Sequence, residues 1–215
     1  MRSFFYPMLK YYYILSMFLI TTTVLAQKKM EKIVAANNVE KLIIDGTHFS
    51  EINIRSQKTQ DITMVANVNG ETFENVLLKT NLDDGHFSIA AGYTPFFKKH
   101  DDKLAAHKVL SLELDIYVPE HIDIDVVAVH TNISFQGIFG IVNTQLATGN
   151  CFLDKFQGAG DIVCKKGAVS GTVDSRVLIA NMLKKQKPHS IVTKNRHFLL
   201  RITSKGGKVS ITQTE

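Results

Sequence analysis

The two cysteines of the chain, Cys151 and Cys164, are its candidates for covalent chemistry. They are 13 residues apart, so a disulfide between them would close a short loop and would stabilise the fold by roughly 3 kcal/mol. Their neighbours, among them Phe152 and Ile162, are apolar, and an apolar setting also suits buried free thiols. The sequence therefore leaves both a disulfide and a pair of buried thiols open.

The densest group of titratable side chains is residues 98–103 (KKHDDK), with His107 beyond it. A metal site could use His100, an aspartate and His107, but this spacing matches no standard ligand pattern. A solvated loop, or a helix start with acids in its first turn, explains the run better. Asp123 and Asp125 alternate along a strand-like segment and so share its polar face. An enzyme that cleaves polysaccharides would need such acids to cluster in a groove, and this alternative stays open.

Two glycine-rich motifs have superficial similarity to known catalytic or phosphate-binding loops. Gly158-Ala-Gly160 lacks the third glycine of a dinucleotide fingerprint and leads into a strand-like segment instead of a helix. Gly167-Ala-Val-Ser170-Gly171 lacks the strand–turn–helix setting of a nucleophile elbow. We therefore predict no catalytic residue, no cofactor and no metal ligand, and we interpret the protein as non-enzymatic.

The charge of the chain is near neutral once its N-terminal segment is set apart. The formal net charge is +5, but Arg2 and Lys10 lie in that segment, which has no acidic residue. Of the 25 basic residues, 23 then remain against 20 acidic residues. Such a balance gives no basic surface for nucleic acid, so we predict no nucleic-acid partner.

Residues 1–26 have the composition of a secretory signal peptide. Arg2 and Lys10 supply a positive start, and residues 11–26 (YYYILSMFLITTTVLA) are uncharged and largely apolar. This stretch is shorter than the roughly 20 residues that span a bilayer as a helix. We predict cleavage after Ala26, export to the periplasm or cell surface, and no membrane span after cleavage. An uncleaved membrane anchor is the alternative.

After the signal peptide the dominant hydrophobic period is two, which is typical of strands with one buried face. The clearest example is residues 110–118 (LSLELDIYV). Helix signals are weak and are confined to residues 101–109 and 180–187. We therefore predict a short linker over residues 27–38 and a single all-β domain with little helix over residues 39–215.

Glycines punctuate the second half of the chain at nearly regular intervals. Gly140, Gly149, Gly160 and Gly171 stand at or just before short β segments. The intervals between them are roughly ten residues, and such a near-period is the sequence signature of a repeat architecture. It favours a β-solenoid, in which each short strand stacks on the strand one turn earlier and the glycines form corners. An antiparallel β-sandwich with regular hairpins is the alternative.

Parts of the sequence resemble exported adhesin-like proteins. Residues 49–54 (FSEINI) through 84–89 (DGHFSI) resemble the start of auto-transporter adhesin head domains of Bacteroidetes. Residues 102–109 (DKLAAHKV), with the glycine-marked segments up to Gly167, resemble adhesin-like domains of unknown function common in flavobacteria. The resemblance covers about residues 40–212. It implies a right-handed β-solenoid or β-roll outside the cytoplasm, and it brings no catalytic residues.

Three functions are compatible with these patterns. The first is a non-enzymatic, exported, adhesin-like protein that binds an envelope protein or a surface glycan. The second is a carbohydrate-active β-helix enzyme, and the third is a periplasmic accessory or sensor protein that binds an envelope partner. The sequence favours the first, because its chemical motifs are weak and its repeated strands are well marked.

Overall fold

The computed structural model describes residues 27–70, 73–95, 111–181 and 198–214, and these residues form an all-β fold, as the sequence predicts. The helical structure within these ranges is one 3-10 turn at Phe73–Asn75. The fourteen described strands are β1 (Gln27–Ala35), β2 (Lys41–Asp45), β3 (Glu51–Gln57), β4 (Asp61–Asn69), β5 (Val76–Asp83), β6 (His86–Tyr93), β7 (Ser111–Pro119), β8 (Asp123–His130), β9 (Asn132–Thr148), β10 (Cys151–Lys166), β11 (Val169–Asp174), β12 (Val177–Asn181), β13 (Phe198–Ser204) and β14 (Val209–Thr214).

Both predicted helix segments fall largely beyond what the structure describes. Residues 101–109 lie outside the described ranges. Of residues 180–187, the first two belong to strand β12 and the others lie outside the described ranges.

Buried and partly exposed residues alternate along the strands, and β7 shows this alternation most clearly. Leu112, Leu114, Ile116 and Val118 are all buried, and the residues between them are not. Because successive side chains of a strand point to opposite faces, each such strand has one face in the core and one in solvent.

Hydrogen bonds join the described strands into one continuous sheet, which is arranged as two ladders of eight strands. The first ladder has the order β1-β4-β7-β3-β9-β10-β11-β14, and the second has the order β5-β6-β2-β8-β9-β10-β13-β12. Strands β9 and β10 belong to both, because the first half of each lies in the first ladder and the second half in the second. The antiparallel pairs β1–β4, β4–β7 and β5–β6 lie at one end, and the other pairs are parallel.

A constant offset along the chain relates neighbouring strands in the middle of both ladders. In the second ladder, Asn143 follows its neighbour Asp125 by 18 positions. In the first ladder, Cys151 lies between Ile133 and Val169, at the same distance in sequence from each. We call this distance the repeat offset, because the chain passes through each ladder once in that length. The interval of roughly ten residues between the glycines is about half of the repeat offset.

The corner between β9 and β10 is formed at Gly149, as the sequence predicts. Gly149 has a φ of 119°, and a Cβ there would lie 2.0 Å from the Thr131 carbonyl oxygen. Gly167, one repeat offset later, has a φ of 147°, and a Cβ there would lie 1.8 Å from the Gly149 carbonyl oxygen. Successive corners stack so closely that a side chain would collide with the backbone of the preceding corner.

The other predicted corners differ from this arrangement. Gly140, Gly160 and Gly171 lie inside β9, β10 and β11, and not at strand starts. The short segments predicted on either side of Gly140 are the two halves of β9, which bends from one ladder into the other. Pairing with the neighbouring strand continues around the bend, although its register shifts between Asp154 and Ala159.

The inward side chains of both ladders pack into one hydrophobic core. Three phenylalanine rings contact one another at the bend. The ring centroid of Phe135 lies 5.9 Å from that of Phe139 and 6.3 Å from that of Phe156, and the centroids of Phe139 and Phe156 are 5.7 Å apart. All three are fully buried, and burial of such a side chain contributes about 1.5–3 kcal/mol. The core therefore holds the two ladders together and leaves their outer faces to solvent.

Strand β1 occupies most of the segment that the sequence predicts as a linker. It pairs with β4 along its whole length and extends the first ladder by one strand. Lys28 Nζ also donates to the Glu74 and Val76 carbonyl oxygens, at 3.2 and 3.1 Å. The sequence does not predict this strand, because an apolar residue, Ile33, stands at an outward position and breaks the alternation of apolar and polar residues. Ile33 is 62% exposed. Within the described ranges, no helix is long and apolar enough to cross a membrane.

Candidate binding surface

A row of polar side chains runs across the outer face of the second ladder. Asp125 on β8, Asn143 on β9 and Asp161 on β10 are register neighbours, each one repeat offset from the next. Arg201 on β13 follows Asp161 in the same register. We call Asp125, Asn143, Asp161 and Arg201 the polar row. Neighbouring members lie on strands about 4.8 Å apart.

Hydrogen bonds fix the orientation of both carboxylates in the polar row. Lys41 Nζ and Asn143 Nδ2 each donate to Asp125, at 2.9 Å to Oδ2 and 2.9 Å to Oδ1. The Arg201 guanidinium binds Asp161 through two parallel contacts, Nε to Oδ1 at 2.6 Å and Nη2 to Oδ2 at 2.7 Å. Such bidentate, charge-assisted pairs are geometrically specific. The row is therefore an ordered array of hydrogen-bonding groups.

Both carboxyl groups of the row are held in the ionised form. Burial opposes ionisation of Asp125, but the hydrogen bonds from Lys41 and Asn143 and the charge of Lys41 outweigh it and lower its pKa. The hydrogen bonds from Arg201 lower the pKa of Asp161, against a smaller opposing effect of burial. Glycoside hydrolysis needs one carboxyl group with a raised pKa to donate a proton. These two carboxylates instead accept hydrogen bonds.

An open groove of about 370 Å³ lies over three members of the polar row, Asp125, Asn143 and Asp161. Its volume lies within the range of small-ligand sites. Its lining residues are Asp125, Val126, Val127, Asn143, Thr144, Gln145, Asp161 and Val163.

Exposed aliphatic side chains flank the polar row on the same outer face. Among the described residues, this face holds five of the eight exposed large hydrophobic side chains: Ile43, Val127, Val129, Ile141 and Leu199. The two most exposed of these are Val127 at 55% and Ile141 at 49%. Apolar groups concentrated on one exposed face, with polar groups among them, are typical of an interaction surface.

The predicted cysteine pair lies away from this surface. Cys151 and Cys164 are free thiols, and both are fully buried in the core. Burial raises the pKa of Cys164 to about 11. Burial also raises the pKa of Cys151, and the nearby Cys164 adds to the increase. In this state both thiols are protonated and unreactive. The disulfide is the untested one of the two alternatives that the sequence leaves open.

The structure separates the two aspartates that the sequence singled out. Both lie on the outer face of β8, as their alternation predicts. Asp125 belongs to the polar row, whereas Asp123 Oδ1 accepts a hydrogen bond from the Ile141 amide at 2.7 Å and stabilises the bend of β9. The residues of the predicted titratable cluster, 98–107, lie outside the described ranges. In the described ranges, no three His, Cys, Asp or Glu side chains are grouped so as to hold a metal ion.

The key residues of both glycine-rich motifs lie within strands. Gly158 and Gly160 lie inside β10, which continues as a strand to Lys166, so no helix N-terminus follows them. Ser170 lies on β11, in a strand rather than at a strand–helix turn.

Sequence reasoning identified Asp125 but missed the rest of the polar row. Asn143, Asp161 and Arg201 lie on three further strands, and their side chains come together only through strand stacking. The equal spacing of Asp125, Asn143 and Asp161 along the chain is the signal that could have found them.

Comparisons with known proteins find likeness in structure but not in sequence. No family model matches the chain, and no curated protein matches it. The crystal structure of a candidate cell adhesion protein from Clostridium sporogenes has a TM-score of 0.60 and 16% identity, and the match covers 87% of this chain and 100% of that one.

Candidate adhesins from two Bacteroidetes match at lower scores. The protein from Parabacteroides distasonis has a TM-score of 0.33 and 14% identity, over 85% of this chain and 97% of that one. The protein from Bacteroides fragilis has a TM-score of 0.26 and 12% identity, over 86% of this chain and 97% of that one. Of these three scores, the Clostridium score alone is high enough to show a shared fold. The chain therefore has the fold of a candidate cell adhesion protein.

Proposed function

We propose that the protein is a non-enzymatic, exported, adhesin-like β-solenoid that binds an envelope protein or a surface glycan through the outer face of its second ladder. The observation that carries this proposal is the polar row, which lies in an open groove and is flanked by exposed aliphatic side chains.

The strand register supports a right-handed β-solenoid over an antiparallel sandwich. Hairpins of a sandwich place sequential strands side by side in opposite directions. Here β8, β9 and β10 are parallel neighbours in the second ladder, each one repeat offset from the next. Parallel strands joined by a crossover follow a right-handed path in nearly all proteins. One turn of the proposed solenoid therefore has the length of the repeat offset and includes one strand segment from each ladder.

The chemistry of the outer face supports binding over catalysis. Exposed aliphatic groups such as Val127 and Ile141 gain free energy when a partner removes them from water. The ordered groups of the polar row then select a partner with matching donors and acceptors. The lowered pKa values of Asp125 and Asp161 support the absence of an acid catalyst in this groove.

Export is supported by the signal-peptide pattern of residues 1–26. The fold shared with the candidate cell adhesion protein from Clostridium sporogenes is compatible with a role outside the cytoplasm. Protease shaving of intact cells that produce a tagged full-length chain distinguishes display on the cell surface from a periplasmic location.

A glycan array, together with immobilised envelope proteins, tests the proposed surface. Val127→Lys and Ile141→Lys each place a charge among the exposed aliphatic groups without disturbing the core. We expect each to weaken binding of the captured partner by roughly tenfold or more. Ile33→Lys is the matched control, because Ile33 is 62% exposed and lies on β1, away from the groove. It should bind as the wild type does.

The outcomes separate the three functions. Binding without turnover that is lost in the two groove variants supports an adhesin-like role. Unchanged binding in both variants refutes the proposed surface. Depolymerisation of a polysaccharide that is lost in Asp125→Asn supports the carbohydrate-active enzyme. Stable co-purification with one defined envelope complex supports the accessory or sensor protein.

A further inference from the structure

An exposed aromatic ring lies on the outer face of the first ladder, whereas the polar row lies on the outer face of the second. Phe152 on β10 is 51% exposed, although large aromatic side chains normally lie in the core. Its register neighbours are Ser134 on β9 and Ser170 on β11. On its own strand, Asp154 lies two residues further on and so shares its face, and Asn150 lies just before the strand, where its Oδ1 accepts a hydrogen bond from the Ala168 amide.

The side chains around Phe152 are polar and are held in place. Gln136 Nε2 donates to Asp154 Oδ2 at 2.9 Å, and Ser134 Oγ donates to Asn53 Oδ1 at 2.5 Å. Neighbouring strands are about 4.8 Å apart, and alternate residues of a strand are about 6.6 Å apart. Phe152 therefore lies at the centre of a ring of hydroxyl, amide and carboxylate groups at fixed spacing.

We propose that Phe152 is a stacking platform for one sugar ring of a neutral saccharide. One face of a pyranose presents C–H groups, and burying that face against an aromatic ring removes apolar surface from water on both sides. The hydroxyl groups at the edge of the sugar would then reach the polar side chains around Phe152. One apolar contact with a few convergent polar groups is the usual composition of a small-ligand site.

The local charge favours a neutral ligand. Among the residues described around Phe152, the negative charge of Asp154, which Gln136 binds, is balanced by the positive charge of the exposed Lys155 next to it. Nucleic acid and acidic polymers would require a basic surface here. The face also differs from the second ladder, because Phe152 is a single apolar group among polar ones instead of a member of an aliphatic cluster. This site is therefore distinct from the groove over the polar row.

Saturation-transfer NMR with the purified protein tests this site. The probes are neutral oligosaccharides, such as gluco-, manno- and galacto-oligomers at about millimolar concentration, with uronic-acid oligomers as the acidic comparison. We expect saturation of pyranose C–H protons for at least one neutral oligomer. Phe152→Ala should weaken that binding roughly tenfold or more, whereas Phe152→Tyr, which keeps the ring, should retain it.

Controls separate this inference from the proposed function. Leu199→Ala removes an exposed apolar side chain from the other ladder and should leave saccharide binding unchanged. Val127→Lys should also leave it unchanged, even where it abolishes binding at the groove. The inference is overturned if no neutral oligomer binds, if Phe152→Ala binds as well as the wild type, or if Val127→Lys removes the saccharide signal.

Discussion

Thr144 lies in the core with a hydroxyl group that has no hydrogen-bond partner, and we expect Thr144→Val to stabilise the protein. Thr144 is fully buried on β9, and Oγ1 is the one buried side-chain polar atom of the described residues without a partner. Its register neighbours are Val126 and Ile162, both buried. A valine would place a methyl group where the hydroxyl now lies.

The expected gain follows from the cost of burying an unpaired hydroxyl. Protein data put that cost at about 1–3 kcal/mol, and the added methyl group would gain contacts with apolar neighbours. We expect a gain of about 1–2 kcal/mol in the free energy of unfolding. For a chain of this size the melting temperature should rise by roughly 2–8 °C. Urea unfolding followed by circular dichroism measures the gain, and the m-value should not change.

Thr131→Val is the matched control, because Thr131 is equally buried but fully bonded. Its Oγ1 lies 2.9 Å from the Gly46 carbonyl oxygen and 2.7 Å from the Phe49 carbonyl oxygen. The same substitution there leaves these two acceptors without that donor and should destabilise by about 1–3 kcal/mol. A higher free energy of unfolding in Thr144→Val and a lower one in Thr131→Val support the reasoning. If Thr144→Val loses stability as Thr131→Val does, Thr144 Oγ1 has a partner in solution and the reasoning is refuted.

Three further predictions concern the core, the polar row and the thiols. Ile162→Asp should unfold the domain, because it places an unpaired charge in the stack, and a fully retained β circular-dichroism signal would show that the site is not buried. The hydrogen bonds from Arg201 hold the pKa of Asp161 below its usual range, so the stability that this ion pair contributes should be fully present above about pH 4. That contribution should be lost as the pH falls through the folded-state pKa of Asp161. Urea unfolding at decreasing pH should therefore show a smaller loss of unfolding free energy in Asp161→Asn than in the wild type. Cys151 and Cys164 should resist a thiol reagent in the native protein, since burial raises the pKa of both, and should react after denaturation; no reaction after denaturation would reveal a disulfide.

The strands were predictable because their burial is local in sequence. Alternation over β7 shows directly which residues face the core, since Leu112 through Val118 are buried at every second position. Strand β1 was missed because it lies at the edge of its ladder and is only partly covered. Its exposed Ile33 breaks the alternation that a half-buried strand requires.

The candidate surface was harder to predict because its residues come from separate turns of the chain. Asp125 and Asp161 belong to one row only because two successive repeat offsets bring β8, β9 and β10 into register. The glycine spacing indicates about half of that offset, since the chain visits two ladders in each turn. Phe152 escaped notice for a related reason: its apolar neighbours suggest burial, whereas strand alternation turns its side chain outward, between the buried Cys151 and Leu153.

The repeat offset that relates β8, β9 and β10 also gives the molecule a natural unit of growth. A duplication of that length would lengthen both ladders by one strand and keep every inward residue inward, whereas a one-residue insertion within a strand would reverse the sides of all residues that follow. A chain of this kind can therefore gain or lose a segment of that length at little structural cost. Each added segment would carry one more outward side chain into line with Asp125 and Asp161, so the reach of the surface and the size of its partner would increase together.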